Sequence, residues 1–404
     1  MVADDHLVAR PHIDAARVRL AGLVQHTPVE ESRTISEQAG ARTLLKCEHL
    51  QRTGSFKLRG AGNRIAALSE EERARGVVCA SAGNHAQGVA LSARGFGARA
   101  TVFMPERAPL PKVAATRGYG ADVRLVGSGF EEAYEASCAF LEETGGTYVH
   151  PFDHPEVIAG QGTLGLDIVE DVPDAGTVVV PIGGGGLAAG VASAVKLVSP
   201  GTRVVGVQAA GAASFPGSLA AGEPRGLDHV STIADGIALK RPGDLTYAHV
   251  AERVDEIVTV SDESIARGVL LLAERAKQIV EPAGAAGVAA LLDRSATLVE
   301  PVVAVLCGGN VDPILLHRIL QSGLFEEGRY FAFRIRLRDR PGALSALLAR
   351  IATTGANVLR VDHHRLNTRL GVLEVEVELE VETRGPGHID ELVNTLVEGG
   401  YPVN

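Results

Sequence analysis

Between residues 43 and 208 two kinds of pattern take turns along the chain. Short apolar runs stand at 43–47, 77–80, 100–104, 122–126, 147–150, 177–182 and 203–208. Between them, apolar residues recur at helical spacing over 57–68, 86–94, 111–118, 129–144, 155–170 and 187–198. Near-continuous apolar runs predict strands buried on both faces, and the intervening periodicity predicts the helices that cover them. Such alternation predicts parallel sheets. A helical pattern over 12–25, with Ile13, Ala16, Val18, Leu20 and Leu23 apolar, precedes this region and ends at Thr27-Pro28. Residues 211–247, rich in Gly, Pro and small side chains, read as loops. Strand 256–260, helix 262–277, a helix running to 292 and strand 302–306 follow.

Beyond a boundary near 323–329 the period changes. Residues 331–338 alternate apolar with Ala or Arg, and 373–382 alternate apolar with Glu, as strands with one wet face do. With helices at 343–353 and 389–396, strand 358–363 and a short 401–403 terminus, they spell βαββαβ, the ferredoxin-like order. There the first and third strands are antiparallel neighbours. Arg334, Arg336 and Arg338 are therefore expected to face the row Glu374, Glu376, Glu378 and Glu380. The expected organisation is α/β, with domains at 1–325 and 329–404.

Composition narrows the functional classes. The 404 residues are 46% hydrophobic and 22% charged, enough core for two or three domains. A net charge of −10 offers nucleic acid no basic stripe. The four cysteines, Cys47, Cys79, Cys138 and Cys307, lack paired metal spacing and read as free thiols of a reducing compartment. The N-terminal Met1-Val-Ala-Asp-Asp-His-Leu7 is acidic, and no apolar run reaches the length of a membrane span. A cytoplasmic protein is expected.

Three stretches carry candidate chemistry. In Gly54-Ser-Phe-Lys-Leu-Arg-Gly-Ala61, Lys57 lies between an aromatic and an aliphatic residue. Apolar neighbours favour the neutral amine, the form that attacks a carbonyl to make a Schiff base. Ser81-Ala-Gly-Asn-His85 and Gly183-Gly-Gly-Gly186 each follow a predicted strand and open a predicted helix. Such loops present backbone N–H groups to an anion, and consecutive glycines let the backbone come close to a phosphate.

With Cys307-Gly-Gly-Asn310, these ordered motifs resemble the pyridoxal-phosphate enzymes of the serine/threonine dehydratase family, threonine ammonia-lyases most closely, from about residue 12 to 320. The resemblance implies a two-lobed fold-type II architecture, like that of the tryptophan synthase beta chain, with pyridoxal 5′-phosphate as cofactor. It also implies elimination of water from L-threonine to give 2-oxobutanoate and ammonia, with L-serine to pyruvate as a side reaction. Lys57 would hold the cofactor as a Schiff base and take the substrate's α-proton, the cofactor serving as electron sink. Phe56 would pack on the pyridine face and Asn84 would bond the ring hydroxyl. Gly183, Gly184, Gly185 and Gly186, with the Leu187 N–H, would hold the phosphate. Cys307 would face the pyridine nitrogen, a neutral partner that leaves that nitrogen largely unprotonated. Ser81, Ala82, Gly83, Asn84 and His85 would hold the substrate carboxylate, and the cofactor phosphate would protonate the leaving hydroxide.

Plainer readings stay open beside these. Lys57 can snorkel from a helix start, Asn84 can cap a helix, Cys307 can be a core thiol, and Glu281 can be buried beside Pro282 for structural reasons. Asp235 matches a cation ligand of some relatives, but Gln208 stands where those carry glutamate, so no metal site is expected.

Serine racemase shares the lysine and resembles this chain with a serine directly after the position of Ser81; here Ala82 cannot carry a proton, and racemisation is not expected. Threonine against serine turns on one methyl, worth roughly 1–3 kcal/mol. An L-serine dehydratase and a non-catalytic amino-acid sensor remain as alternatives, the intact Lys57 arguing against the sensor. The tail, with Asp339-Arg-Pro-Gly-Ala-Leu344, resembles an ACT regulatory domain. Asp339, Arg340, Pro341, Gly342 and Ala343 open a helix whose free N–H groups are expected to take an amino-acid effector, isoleucine or valine, between paired domains. A domain that only dimerises the enzyme is the alternative. A homodimer or homotetramer is expected, serving isoleucine biosynthesis or threonine catabolism.

Overall fold

The apolar runs become strands, and their order places the site. The computed structural model describes residues 7–365 and 371–403, so the acidic stretch 1–6 lies outside the described residues. In chain order the strands are β1 (Val29–Glu31), β2 (Thr43–Lys46), β3 (Val77–Ala80), β4 (Ala100–Met104), β5 (Asp122–Leu125), β6 (Thr147–Tyr148), β7 (Thr177–Pro181), β8 (Arg203–Ala209), β9 (Glu256–Val260), β10 (Val302–Val305), β11 (Tyr330–Arg338), β12 (Asn357–His364) and β13 (Glu374–Glu382). The chain divides into two compact units, Met1–Leu316 and His317–Asn404.

The first unit holds two sheets. One has the order β1-β2-β10-β7-β8-β9, parallel throughout except where β1 runs against β2; the other, β5-β4-β3-β6, is wholly parallel. Every residue of β7 and β10 is buried, the consequence of valine-rich strands flanked by neighbours and covered by helices. The Lys57–Ala66 helix meets the Pro155–Asp171 helix at Gly60 and Gly160. A Cβ on Gly160 would lie 2.5 Å from the Arg59 carbonyl oxygen, so this crossing is open only to glycine.

Two expectations change. The first helix spans Arg10–Arg19 rather than 12–25, and Val18, expected on its apolar side, is 77% exposed. Residues 211–247 are not loop throughout: Ser214–Ala221 is helical and the Asp244–Arg253 helix begins within the region. Gly217, Pro216 and small side chains hide the first helix from any periodicity test, since no strong apolar stripe marks its buried side.

In the second unit β13 lies between β11 and β12, antiparallel to both. The expected fourth strand is reduced to a bridge from Val403 to Ile335 of β11. This is the ferredoxin-like order. Arg334, Arg336 and Arg338 stand opposite Glu378, Glu376 and Glu374, as the alternation required, and Arg334 reaches Glu378 at 3.1 Å. Glu380 departs from the expected row: it faces Ala332, and its ion partner is Arg360 on β12. Leu347, Ile351, Leu392 and Leu396 of the two helices pack on Ile335, Val377 and Leu379 of the sheet.

Candidate active site

Ligands of parallel sheets lie beyond the carboxyl ends of the strands. Four such ends converge here: β3 leads to Ser81, β6 to His150, β7 to Gly183 and β10 to Cys307. They surround a cavity of about 610 Å³ within the first unit. Phe56, Lys57, Ser81, Ala82, Gly83, Asn84, His85, Gly183, Gly184, Gly185, Gly186, Leu187 and Cys307 all line it, so segments more than 200 residues apart in sequence meet at one place.

Lys57 is the first residue of its helix, and its Nζ donates to the Pro151 carbonyl at 2.8 Å. Burial lowers its pKa from 10.5 to about 8, against the opposing pull of Cys307 and Glu281. The Phe56 ring lies beneath the amine, 5.1 Å from Nζ to centroid, and the Phe56 N–H donates to the Cys307 carbonyl, fixing the lysine segment to the end of β10. The Cys307 thiol is buried, which pushes its pKa up and keeps it neutral.

Asn84 does not cap its helix. Gly83 holds the cap position, and the Asn84 amide donates instead to Glu281 at 2.7 Å. Burial, with the charge of Asp235, raises Glu281 to about 7, opposed by the Asn84 bond. His85 is buried, bonded through Nε2 to the Val149 carbonyl, and burial with the nearby Lys57 charge lowers it to about 3; it orients the loop as a neutral ring. Ser81 Oγ accepts from the Gly83 N–H at 3.2 Å.

At the opposite wall the glycine loop opens the Gly186–Val198 helix, which no side chain caps. Gly185 adopts φ +98°, and a Cβ on Gly184 or Gly186 would come within 2.6 or 2.7 Å of Phe152. Thr246 Oγ1 donates to the Gly184 carbonyl at 2.6 Å, while Asp153 accepts from the N–H groups of Asp244, Leu245 and Thr246 at 3.0 Å. The loop thus lines the cavity at a helix start that no side chain caps, a cradle suited to a dianion.

Sequence reasoning missed His150, Pro151 and Phe152, which line the cavity between lysine and glycine loop. His150 Nδ1 accepts from the Phe152 and Asp153 N–H groups, and burial lowers its pKa to about 4. A signal existed: this stretch directly follows a strand, where ligand sites of such sheets lie. Also missed was the buried ion cluster that supports the lysine helix, where Arg59 bonds Glu48 at 2.6 Å and Asp167 at 2.7 Å. Gln208, at the position weighed for a cation, is occupied locally, accepting from the Phe215 N–H and donating to the Ala212 carbonyl.

A lysine with a lowered pKa facing an uncapped glycine loop suits an aldehyde that also carries a phosphate. A family profile, "Pyridoxal-phosphate dependent enzyme", matches residues 20–308. The chain belongs to this family. It is 48% identical over 397 residues to an L-threonine ammonia-lyase of Thermotoga maritima, covering 98% of this chain and 99% of that one. It is 46% identical over 393 residues to an L-threonine ammonia-lyase of Geobacter sulfurreducens, at 97% and 98% coverage. A solved structure of threonine deaminase from Solanum lycopersicum, the processed form of isoform 2, superposes with a TM-score of 0.73 at 36% identity, covering 78% of this chain and 95% of its own. A crystallised threonine deaminase superposes with a TM-score of 0.72 at 43% identity, covering 75% of this chain and 99% of its own. The family's cofactor is pyridoxal phosphate, and the lysine and cradle fit it.

A second cavity, of about 390 Å³, lies within the second unit and gathers Asp339, Arg340, Pro341, Gly342 and Ala343 with Arg338, His363 and Arg365. Gly342 stands at φ +84° before the Ala343–Ala352 helix, which no side chain caps. Among the described residues no three His, Cys, Asp or Glu side chains group as metal ligands, and no helix is long and apolar enough to cross a membrane.

Proposed function

We propose that the chain is a threonine ammonia-lyase that converts L-threonine to 2-oxobutanoate and ammonia. The observation that carries this is Lys57, an amine of lowered pKa held opposite an uncapped glycine loop, in a chain nearly half identical to L-threonine ammonia-lyases over its whole length. Pyridoxal phosphate, when bound, supplies the electron sink for negative charge at the substrate's α-carbon. Residues 183–187 would bind its phosphate, Phe56 would cover one ring face, Asn84 would meet the ring oxygen and Cys307 the ring nitrogen. Neutral Cys307 would give that nitrogen no charge partner, a setting that would favour loss of the β-hydroxyl over return of the proton. Lys57 Nζ, the amine that would hold the cofactor, would also take the substrate's α-proton. The amides of residues 81–85, at the start of the Asn84–Gly95 helix, would bind the substrate carboxylate.

Ala82 has no proton to give, which supports elimination over racemisation. L-serine to pyruvate is the expected side activity. Residues 1–325 would form the catalytic domain and 329–404 an ACT domain, with Asp339, Arg340, Pro341, Gly342 and Ala343 binding isoleucine or valine. The expected setting is a cytoplasmic homodimer or homotetramer. Oxo-acid release from the purified protein with pyridoxal phosphate, comparing L-threonine with L-serine, tests the reading. Faster 2-oxobutanoate formation supports it, dominant pyruvate makes the protein a serine dehydratase, and no product from either overturns it.

A further inference from the structure

The Cys307-Gly-Gly-Asn310 motif contains one side chain to which the reading above gives no task. Asn310 Nδ2 donates to the Thr53 carbonyl at 2.7 Å and to Asn84 Oδ1 at 2.8 Å. A main-chain carbonyl only accepts, so Thr53 fixes which end of the Asn310 amide turns inward. With both Nδ2 hydrogens assigned, the Asn84 atom that meets Asn310 is its oxygen. The Asn84 nitrogen is thereby turned to Glu281 Oε1 at 2.7 Å, and its second hydrogen has no partner among the described residues, in a side chain that lines the cavity.

The surrounding glycines are placed for this chain of bonds. Gly54, which opens the lysine motif at φ +70°, would put a Cβ 2.4 Å from Asn310 Oδ1. Gly308 would put one 2.2 Å from Glu281 Oε1. Any larger residue at either position would displace one anchor of Asn84.

We propose that Asn310 is a positioning residue that sets Asn84 as a hydrogen-bond donor toward the ring oxygen of the bound cofactor. This rests on the reading of Asn84 as the residue that meets that oxygen. A donor there stabilises the ionised oxygen, whereas a flipped amide would present an acceptor and repel it. The polarity of the contact is inherited from a backbone carbonyl two bonds away.

The test is a pH titration of the holoenzyme without substrate, followed by the absorbance of the bound cofactor. The proteins compared are the unmodified chain, Asn84→Ala, Asn310→Asp and Asn310→Leu, the last two close to asparagine in size and unable to donate. Each variant is expected to raise the midpoint for ring-oxygen ionisation by about one pH unit, a tenfold change in the ratio of the two forms. Melting curves identify any variant that does not fold, and the two Asn310 substitutions back each other up. If the midpoint moves in Asn84→Ala but in neither Asn310 variant, the proposal is overturned and the role of Asn84 stands. If it stays in place in Asn84→Ala, both fall. An Asn310 that served packing alone would lower Tm and leave the midpoint unmoved.

Discussion

Lys57 keeps little water around its ammonium group, and that shortage governs its reactivity. With the pKa lowered to about 8, roughly a tenth of the amine is neutral at pH 7, far more than for an ordinary lysine. Only the neutral amine attacks an aldehyde. The rate at which apoprotein captures pyridoxal phosphate, followed by absorbance, is therefore expected to rise with pH up to about 8 and to level off above it. A rate still climbing steeply at pH 10 would show that the amine is not desolvated. Lys57→Ala is expected to abolish both the covalently held chromophore and turnover. Two positions further on, Arg59 is buried against Glu48 and Asp167; Asp167 also has His26 at 3.6 Å, while the ion pair of Glu48 is with Arg59. Arg59→Leu leaves buried Glu48 without its cation and Asp167 with His26 alone, an expected loss of about 3–5 kcal/mol seen as a large drop in Tm. In the sequence Arg59 was only the nearest charge to the lysine, because its partners lie at 48 and 167 and no local pattern joins them.

The glycine loop works as an element rather than as four residues. Phe152 occupies the space that a side chain on Gly184 or Gly186 would need, and Thr246 holds the Gly184 carbonyl. Gly184→Ala is expected to weaken pyridoxal phosphate binding at least tenfold, about 1.4 kcal/mol, as measured by fluorescence titration. Adding Phe152→Ala should recover part of that loss, since the clash is with its ring. No recovery would mean that the backbone, not the space, sets the requirement. The loop itself was legible because strand, glycines and helix are contiguous. The same holds for the lysine, Ser81 and Cys307 segments, each a local signal at a strand or helix end. Phe152 and His150 carried only the weaker signal of following a strand, since their role comes from a shared cavity wall with residues beyond 180. The Ser214–Ala221 helix was hidden for a different reason: its small side chains are buried by close approach, which leaves little periodic signal.

At the scale of the whole chain, every residue lining the larger cavity belongs to the unit Met1–Leu316, and the second unit has its own core around Ile335, Leu347 and Val377. A crystallised threonine deaminase matches over 99% of its own length while covering 75% of this chain. A chain truncated after Glu327 is therefore expected to fold, hold pyridoxal phosphate and turn over L-threonine. The second cavity, at the uncapped start of the Ala343–Ala352 helix and with Arg338, Arg340 and Arg365 on its wall, suits a carboxylate. If isoleucine or valine acts there, the full chain should respond with a change in KM or kcat of about 5- to 150-fold, the usual range of coupling between sites. The truncated chain should show none, because coupling needs both the effector site and the element it biases. Steady-state kinetics on the two chains, with each effector titrated, separates the cases. Equal effector response in both would place the regulatory site in the first unit, and a full chain indifferent to both ligands would leave the second unit a dimerising element.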